Sequence, residues 1–150
     1  MVKYRDYYIV FEEIPDKVSL AINITNCQNK CLGCHSPILR ENIGELLTID
    51  VIDDLIKNNY GINCVLFMGE GNDIQTLIEL AKYIKETYKI SVGVYSGRSN
   101  VEKEFYEVFD YIKIGPYIEK FGPLNKKTTN QKLFQVINNE VIDITSFFWN

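Results

Sequence analysis

Three thiols fall within eight residues, Cys27, Cys31 and Cys34, in the segment CQNKCLGCHSP (27–37). Thiolates select soft metals, and on a loop this short all three can converge on one centre. A 4Fe-4S cluster takes one ligand per iron, so three cysteines leave one iron open to a small molecule, and an open iron implies catalysis. The competing reading is a structural zinc site completed by His35 or Cys64. His35 directly follows Cys34 and is a poor fourth ligand, and zinc loops pair two separated knuckles where this chain has one triplet and a single histidine. Cys64 stands in an apolar run and reads as core packing. His35 can act in proton transfer, since imidazole titrates near neutrality, or through its backbone alone.

The elements around the triplet tell where it must sit. Tyr7 to Glu12 and Val18 to Ile24 are β-branched and aromatic, broken at Pro15-Asp16, and predict an N-terminal strand pair. The second of these strands runs directly into the cysteines. A helix follows Thr48 as cap, with Asp50 in its first turn and Val51, Ile52, Leu55 and Ile56 at helical spacing. Cys64 to Met68 reads as a strand buried on both faces, and Asn72 with Gln75 opens a helix whose inner face is Ile74, Leu77, Ile78, Ala81 and Ile84. Ser91 to Tyr95, a helix from about Asn100 with Val101, Phe105 and Val108 inward, and Tyr111 to Ile114 continue the alternation. Lys132 to Ile137 and Glu140 to Thr145 flank Asn138-Asn139 as a C-terminal hairpin. Such alternation predicts an α/β fold with a parallel sheet, too short for a complete eightfold barrel, hence a partial, open (β/α) barrel or twisted sheet. The cysteines then lie at the carboxyl end of a parallel strand, where sites in such sheets gather.

Composition narrows the class. The 150 residues suit one domain spanning 1–150, and 46% apolar with 24% charged residues excludes a disordered chain or a coiled coil. A net charge of −4 gives no footprint for nucleic acid. No apolar run approaches the length of a membrane span, and the opening MVKYRDYYIV lacks a signal-peptide core, so a cytoplasmic protein with no membrane partner is expected.

The strings NITNCQNKCLGCHSP (23–37), FMGEGND (67–73), VYSGR (94–98), IKIGPYIEKFGPL (112–124), TTNQ (128–131) and DITSFFW (143–149) resemble the anaerobic ribonucleoside-triphosphate reductase activating protein family of the radical S-adenosylmethionine superfamily, over nearly the whole chain. The resemblance implies that Cys27, Cys31 and Cys34 hold a 4Fe-4S cluster whose fourth iron is chelated by the methionine part of S-adenosylmethionine. By the same carry-over Gly33, Cys34 and His35 lie beside the cofactor. The family's Gly-Gly-acid stretch, which supports the methionine amino group, aligns with Gly69-Glu70-Gly71. Here Glu70 replaces the second glycine and Gly71 the acid, so either the Glu70 side chain or backbone carbonyls meet the amino group. The implied reaction is reductive cleavage of S-adenosylmethionine to a 5′-deoxyadenosyl radical, which makes a glycyl radical on the large anaerobic ribonucleotide reductase, with reduced flavodoxin or ferredoxin as electron donor. An activase of another glycyl radical enzyme, such as pyruvate formate-lyase, is the close rival; a non-catalytic zinc-binding module is the distant one.

Other candidates carry two readings each. Ser96 and Gly97 offer a hydroxyl and close backbone to the cofactor's ribose or carboxylate, or make a plain strand-to-helix turn. Arg98 pairs with the cofactor carboxylate or is a solvated charge. The TTNQ run is a family string or a polar turn, and Phe147-Phe148-Trp149 docks on the reductase or packs on its own sheet.

Overall fold

The computed structural model describes residues 1–25, 44–116, 118 and 120–149. Among these the strands are β1 (Lys3–Val10), β2 (Ser19–Ile24), β3 (Glu45–Leu46), β4 (Cys64–Met68), β5 (Ser91–Tyr95), β6 (Tyr111–Ile114), β7 (Lys132–Ile137) and β8 (Glu140–Asp143). The helices are α1 (Ile49–Asn58), α2 (Ile74–Tyr88) and α3 (Lys103–Val108). All eight strands join one mixed sheet in the order β3-β1-β2-β4-β5-β6-β7-β8. The middle four, β2, β4, β5 and β6, are parallel, and antiparallel strands flank them on both sides. The sheet is open, and the expected N-terminal pair and C-terminal hairpin are both present.

The two faces of the sheet are covered differently. Leu20, Ile22 and Ile24 of β2, Val65 and Phe67 of β4, and Val92 and Val94 of β5 turn one way and meet Ile52, Leu55 and Ile56 of α1, Leu77, Ile78, Ala81 and Ile84 of α2, and Phe105 of α3. Alternate residues Ala21, Cys64, Leu66, Tyr111 and Leu133 turn the other way and are covered by Ile14, Leu124 and Ile144 from connecting segments. Gly93 sits on this second face because a Cβ there would stand 3.2 Å from both Leu66 Cδ1 and Tyr111 Cβ, so neighbouring side chains fill its place. Burying side chains of the size of Phe67 and Phe105 contributes about 2–3 kcal/mol each, which makes the helix-covered face the main source of stability.

Local chemistry explains the boundaries. Thr48 caps α1 by accepting from the Val51 N–H at 3.3 Å, as expected. The α2 cap is Asp73, not Asn72: Asp73 Oδ1 accepts from the Thr76 N–H at 3.2 Å, and its charge suits a helix N-terminus better than an amide. β1 begins at Lys3, earlier than the Tyr7 expected, because Lys3 and Tyr4 pair with β3 and Tyr4 with Ile24. α3 begins at Lys103 instead of near Asn100, since the Arg98 carbonyl accepts from the Gly115 N–H at 2.6 Å and draws the preceding segment across to the end of β6. β8 stops at Asp143, whose carboxylate accepts from the Thr145 N–H and hydroxyl and turns the chain into a short 3-10 stretch. Asn138 and Asn139 are both left-handed, φ 49° and 67°, the requirement of a tight two-residue hairpin turn.

Candidate functional site at the carboxyl edge

β2 ends at Ile24 and β4 at Met68, side by side and pointing the same way. Thr25, the residue after β2, is fully buried, and its N–H donates to the Lys3 carbonyl at 2.9 Å. The turn Gly69-Glu70-Gly71 leaves β4 against it. Gly69 and Gly71 have φ of +114° and +68°, and a Cβ on Gly71 would stand 3.1 Å from Ile24 Cγ2 and 3.4 Å from the Thr25 carbonyl. Only glycine gives the turn both its left-handed backbone and its approach to β2.

Glu70 is the charged centre of this edge. Its side chain is 4% exposed and faces Arg98, which follows β5. Arg98 Nε donates to both Glu70 oxygens at 3.2 and 3.1 Å, and Nη2 to Oε1 at 2.5 Å. The outer side of the guanidinium grips Glu102, Nη1 to Oε1 at 2.7 Å and Nη2 to Oε2 at 2.8 Å. These hydrogen bonds, first to Glu102 and then to Glu70, raise the Arg98 pKa and keep it charged; that to Glu102 lowers the Glu102 pKa below its ordinary value. Glu102 stands at the N-cap of α3 but makes no side-chain cap, because its carboxylate is on Arg98. Ser96 is buried, and its hydroxyl accepts from the Arg98 N–H at 3.0 Å, a local turn that aims the arginine back at β4.

Strand register brings a second row together on the face away from the helices. Asp6, Asn23, Met68, Tyr95 and Lys113 stand opposite one another in β1, β2, β4, β5 and β6. Asn23 Nδ2 donates to Asp6 Oδ1 at 2.6 Å, and Lys113 Nζ lies 4.3 Å from the centre of the Tyr95 ring. The Tyr95 hydroxyl donates to the Glu13 carbonyl, and burial pushes its pKa well above the usual tyrosine value. Sequence reading passed over Asn23, Tyr95, Lys113 and Glu102. Lys113 was detectable as the single charge in the strand YIKI, and Glu102 by its place four residues after Arg98.

The sequence candidates therefore divide. Gly69, Glu70, Gly71, Ser96, Gly97 and Arg98 come to one edge. Cys27, Cys31, Gly33, Cys34 and His35 lie outside the described residues. Cys64 begins β4 opposite Ser19 and Ser91, at the far end of the strands, where burial pushes its thiol up to about 11. Among the described residues no group of three His, Cys, Asp or Glu is placed to hold a metal ion. The TTNQ run stitches itself to the turn after β6, Asn130 Nδ2 donating to the Pro116 carbonyl and Gln131 Nε2 to that of Gly115. At the C-terminus Phe148 packs on the second face and Trp149 Nε1 donates to the Leu124 carbonyl, while Phe147 is exposed.

No described helix is long and apolar enough to cross a membrane. Comparison with protein-family models, with curated proteins and with solved structures finds no match in any of the three.

Proposed function

We propose that this chain is a radical S-adenosylmethionine activating enzyme of the partial, open-barrel type, which installs a glycyl radical on a large anaerobic ribonucleotide reductase. One observation carries the reading. Thr25 follows β2 two residues ahead of Cys27, and the Gly69–Gly71 turn lies against Ile24 and Thr25 at the end of that strand. The cysteine segment and the glycine turn thus follow the ends of neighbouring parallel strands. Among the described residues the three α-helices cover one face of the sheet, which is also the arrangement of a (β/α) barrel wall.

Cys27, Cys31 and Cys34 would hold the 4Fe-4S cluster, and Cys64, buried at the opposite strand ends, would not compete for it. When bound, the cluster supplies the single electron that splits the sulfonium of S-adenosylmethionine, delivered in turn by reduced flavodoxin or ferredoxin. The chain's own residues position and shield. Because the Glu70 carboxylate is taken by Arg98, the turn offers its backbone to the methionine amino group. Met68 and Tyr95 pack against the second core on the neighbouring face. An open sheet leaves a side through which a loop of a protein substrate can reach the cofactor.

Anaerobic reconstitution is the test. About four irons per chain are expected, lost on changing any of Cys27, Cys31 or Cys34 to Ala and retained in Cys64→Ala. With dithionite, S-adenosylmethionine and the anaerobic reductase, electron paramagnetic resonance should show a glycyl doublet. Stoichiometric zinc without iron uptake would overturn the proposal, and a doublet on pyruvate formate-lyase alone would reassign the partner.

A further inference from the structure

Charge is unevenly spread along the chain. Residues 112–132 hold five lysines, Lys113, Lys120, Lys126, Lys127 and Lys132, against one acid, Glu119; that segment carries +4, and because the whole chain carries −4 the remainder carries −8. The fold gathers these cations. Lys132 opens β7 opposite Ile114, the last residue of β6, and the loop between the two strands closes on itself. The Phe121 carbonyl accepts from the Thr128 hydroxyl at 2.6 Å, the Pro123 carbonyl from the Lys126 N–H at 3.0 Å, and the Lys126 carbonyl from the Thr129 N–H at 3.0 Å. The Lys126 side chain lies over Gly122, where a Cβ would stand 2.9 Å from its Cγ, and Lys120 Nζ is 5.9 Å from the centre of the Phe121 ring. Lys120, Lys126 and Lys127 thus share one small loop with Lys132 at its base, and all four are exposed. Among the described residues none of the four makes an ion pair, whereas Lys82, Lys85 and Arg98 do. Glu70 and Glu102, acids of the same carboxyl edge, are already held by Arg98.

We propose that this lysine loop is the docking surface for the electron donor, a protein with an acidic face, an inference that rests on the reading of the chain as a cluster enzyme. One electron leaves the reduced flavin or iron-sulfur centre of the donor, which is oxidised by one electron, and enters the cluster of this chain, which is reduced by one; no other group is transferred. Placement agrees. β6 lies three strands from β2 in the sheet, about 14 Å at the usual strand spacing, and the cysteine segment follows β2 at the same carboxyl edge. A donor has only to come near and leave, and such encounters are small, weak and steered by charge. Unpaired lysines on long stems suit that task, whereas the loop of a protein substrate needs a fixed path to one carbon. An extended polyanion such as nucleic acid would run past the loop into the −8 of the remainder, while a compact acidic face ends where the lysines end.

The test uses the reconstituted full chain and an acidic flavodoxin. Oxidised, dye-labelled flavodoxin followed by fluorescence anisotropy should bind the parent and lose about tenfold in affinity between about 20 and about 200 mM salt. The exposed double change Lys126→Glu with Lys127→Glu should weaken binding at low salt by about tenfold or more, and Lys126→Arg with Lys127→Arg should keep it at the parent's level. Reduction of the cluster by flavodoxin hydroquinone, read as bleaching of its visible absorbance, should slow in the Glu variant by a similar factor, while reduction by dithionite, which needs no docking surface, should not change. Three results would overturn the proposal: binding that ignores salt, equal binding by the parent and the Glu variant, or a single-stranded oligonucleotide that binds the parent more tightly than flavodoxin does. Failure of the parent to take up iron would instead sink the reading beneath it, and the binding measurement, which needs no electron transfer, still decides the loop.

Discussion

At their amino ends the parallel strands β2, β4 and β5 open with Ser19, Cys64 and Ser91 in register, all uncharged; at their carboxyl ends they lead to Thr25, Glu70 and Arg98. One asparagine closes the first end. The Asn63 N–H donates to the Val18 carbonyl, its Oδ1 accepts from the Val18 N–H at 2.9 Å, and its own carbonyl accepts from Ser91. The amino end also carries the partly exposed pair Lys85–Asp110, whose Asp110 accepts from the Val92 N–H, whereas at the other end a nearly inaccessible carboxylate depends on a guanidinium from the next strand. A neutral group can be satisfied by backbone that is already there, but a buried charge needs a charged partner held in place. The amino end is therefore suited to closing the sheet, and the carboxyl end to chemistry.

The sharpest way to break this comparison is Arg98→Leu. Glu70 would stay buried without the guanidinium, at a cost of about 2–3 kcal/mol in urea unfolding, discounted because Arg98 is itself nearly a third exposed. Adding Glu70→Gln should recover most of that loss; a single variant as stable as the parent would show that the triad is ornamental. At the amino end Asn63→Ala should cost about 1 kcal/mol, since it removes one side-chain acceptor next to solvent. Cys64→Ala should cost about 1 kcal/mol or less by leaving a small cavity, and the Cys64 thiol should resist alkylation at pH 8 in the folded chain.

The smallest effect belongs to Glu102→Gln, about 0.5 kcal/mol at pH 7, because the carboxylate is half exposed. Its pH dependence sharpens the comparison more than its size does. The Glu102 pKa is lowered in the folded chain, so its contribution is present above the ordinary glutamate range and is lost as pH falls through the lowered value. The stability difference between parent and variant should shrink on acidification, and a constant difference down to pH 3 would show that charge on Glu102 does not matter.

Much of this was legible along the chain. The periodicity of Val51 to Ile56 and of Ile74 to Ile84 located α1 and α2, and the run Cys64 to Met68 located β4, because burial repeats at the spacing of the backbone itself. Gly69 and Gly71 marked the turn. Boundaries were less readable where two residues could do one task, as with Asn72 and Asp73, or where a distant carbonyl intervened, as at α3.

What sequence by itself determined is the order of elements, the amphipathic faces and the chemical types available, for these depend on interactions a few residues apart. Only tertiary structure decided that Arg98 meets Glu70, 28 positions earlier, that Glu102 abandons its helix cap to join them, and that Asp6, Asn23, Met68, Tyr95 and Lys113 form one row. It also decided that β8 is left at an edge with Val141 and Ile142 uncovered. Register and strand order are set by the summed packing of all elements, so no local pattern announces them.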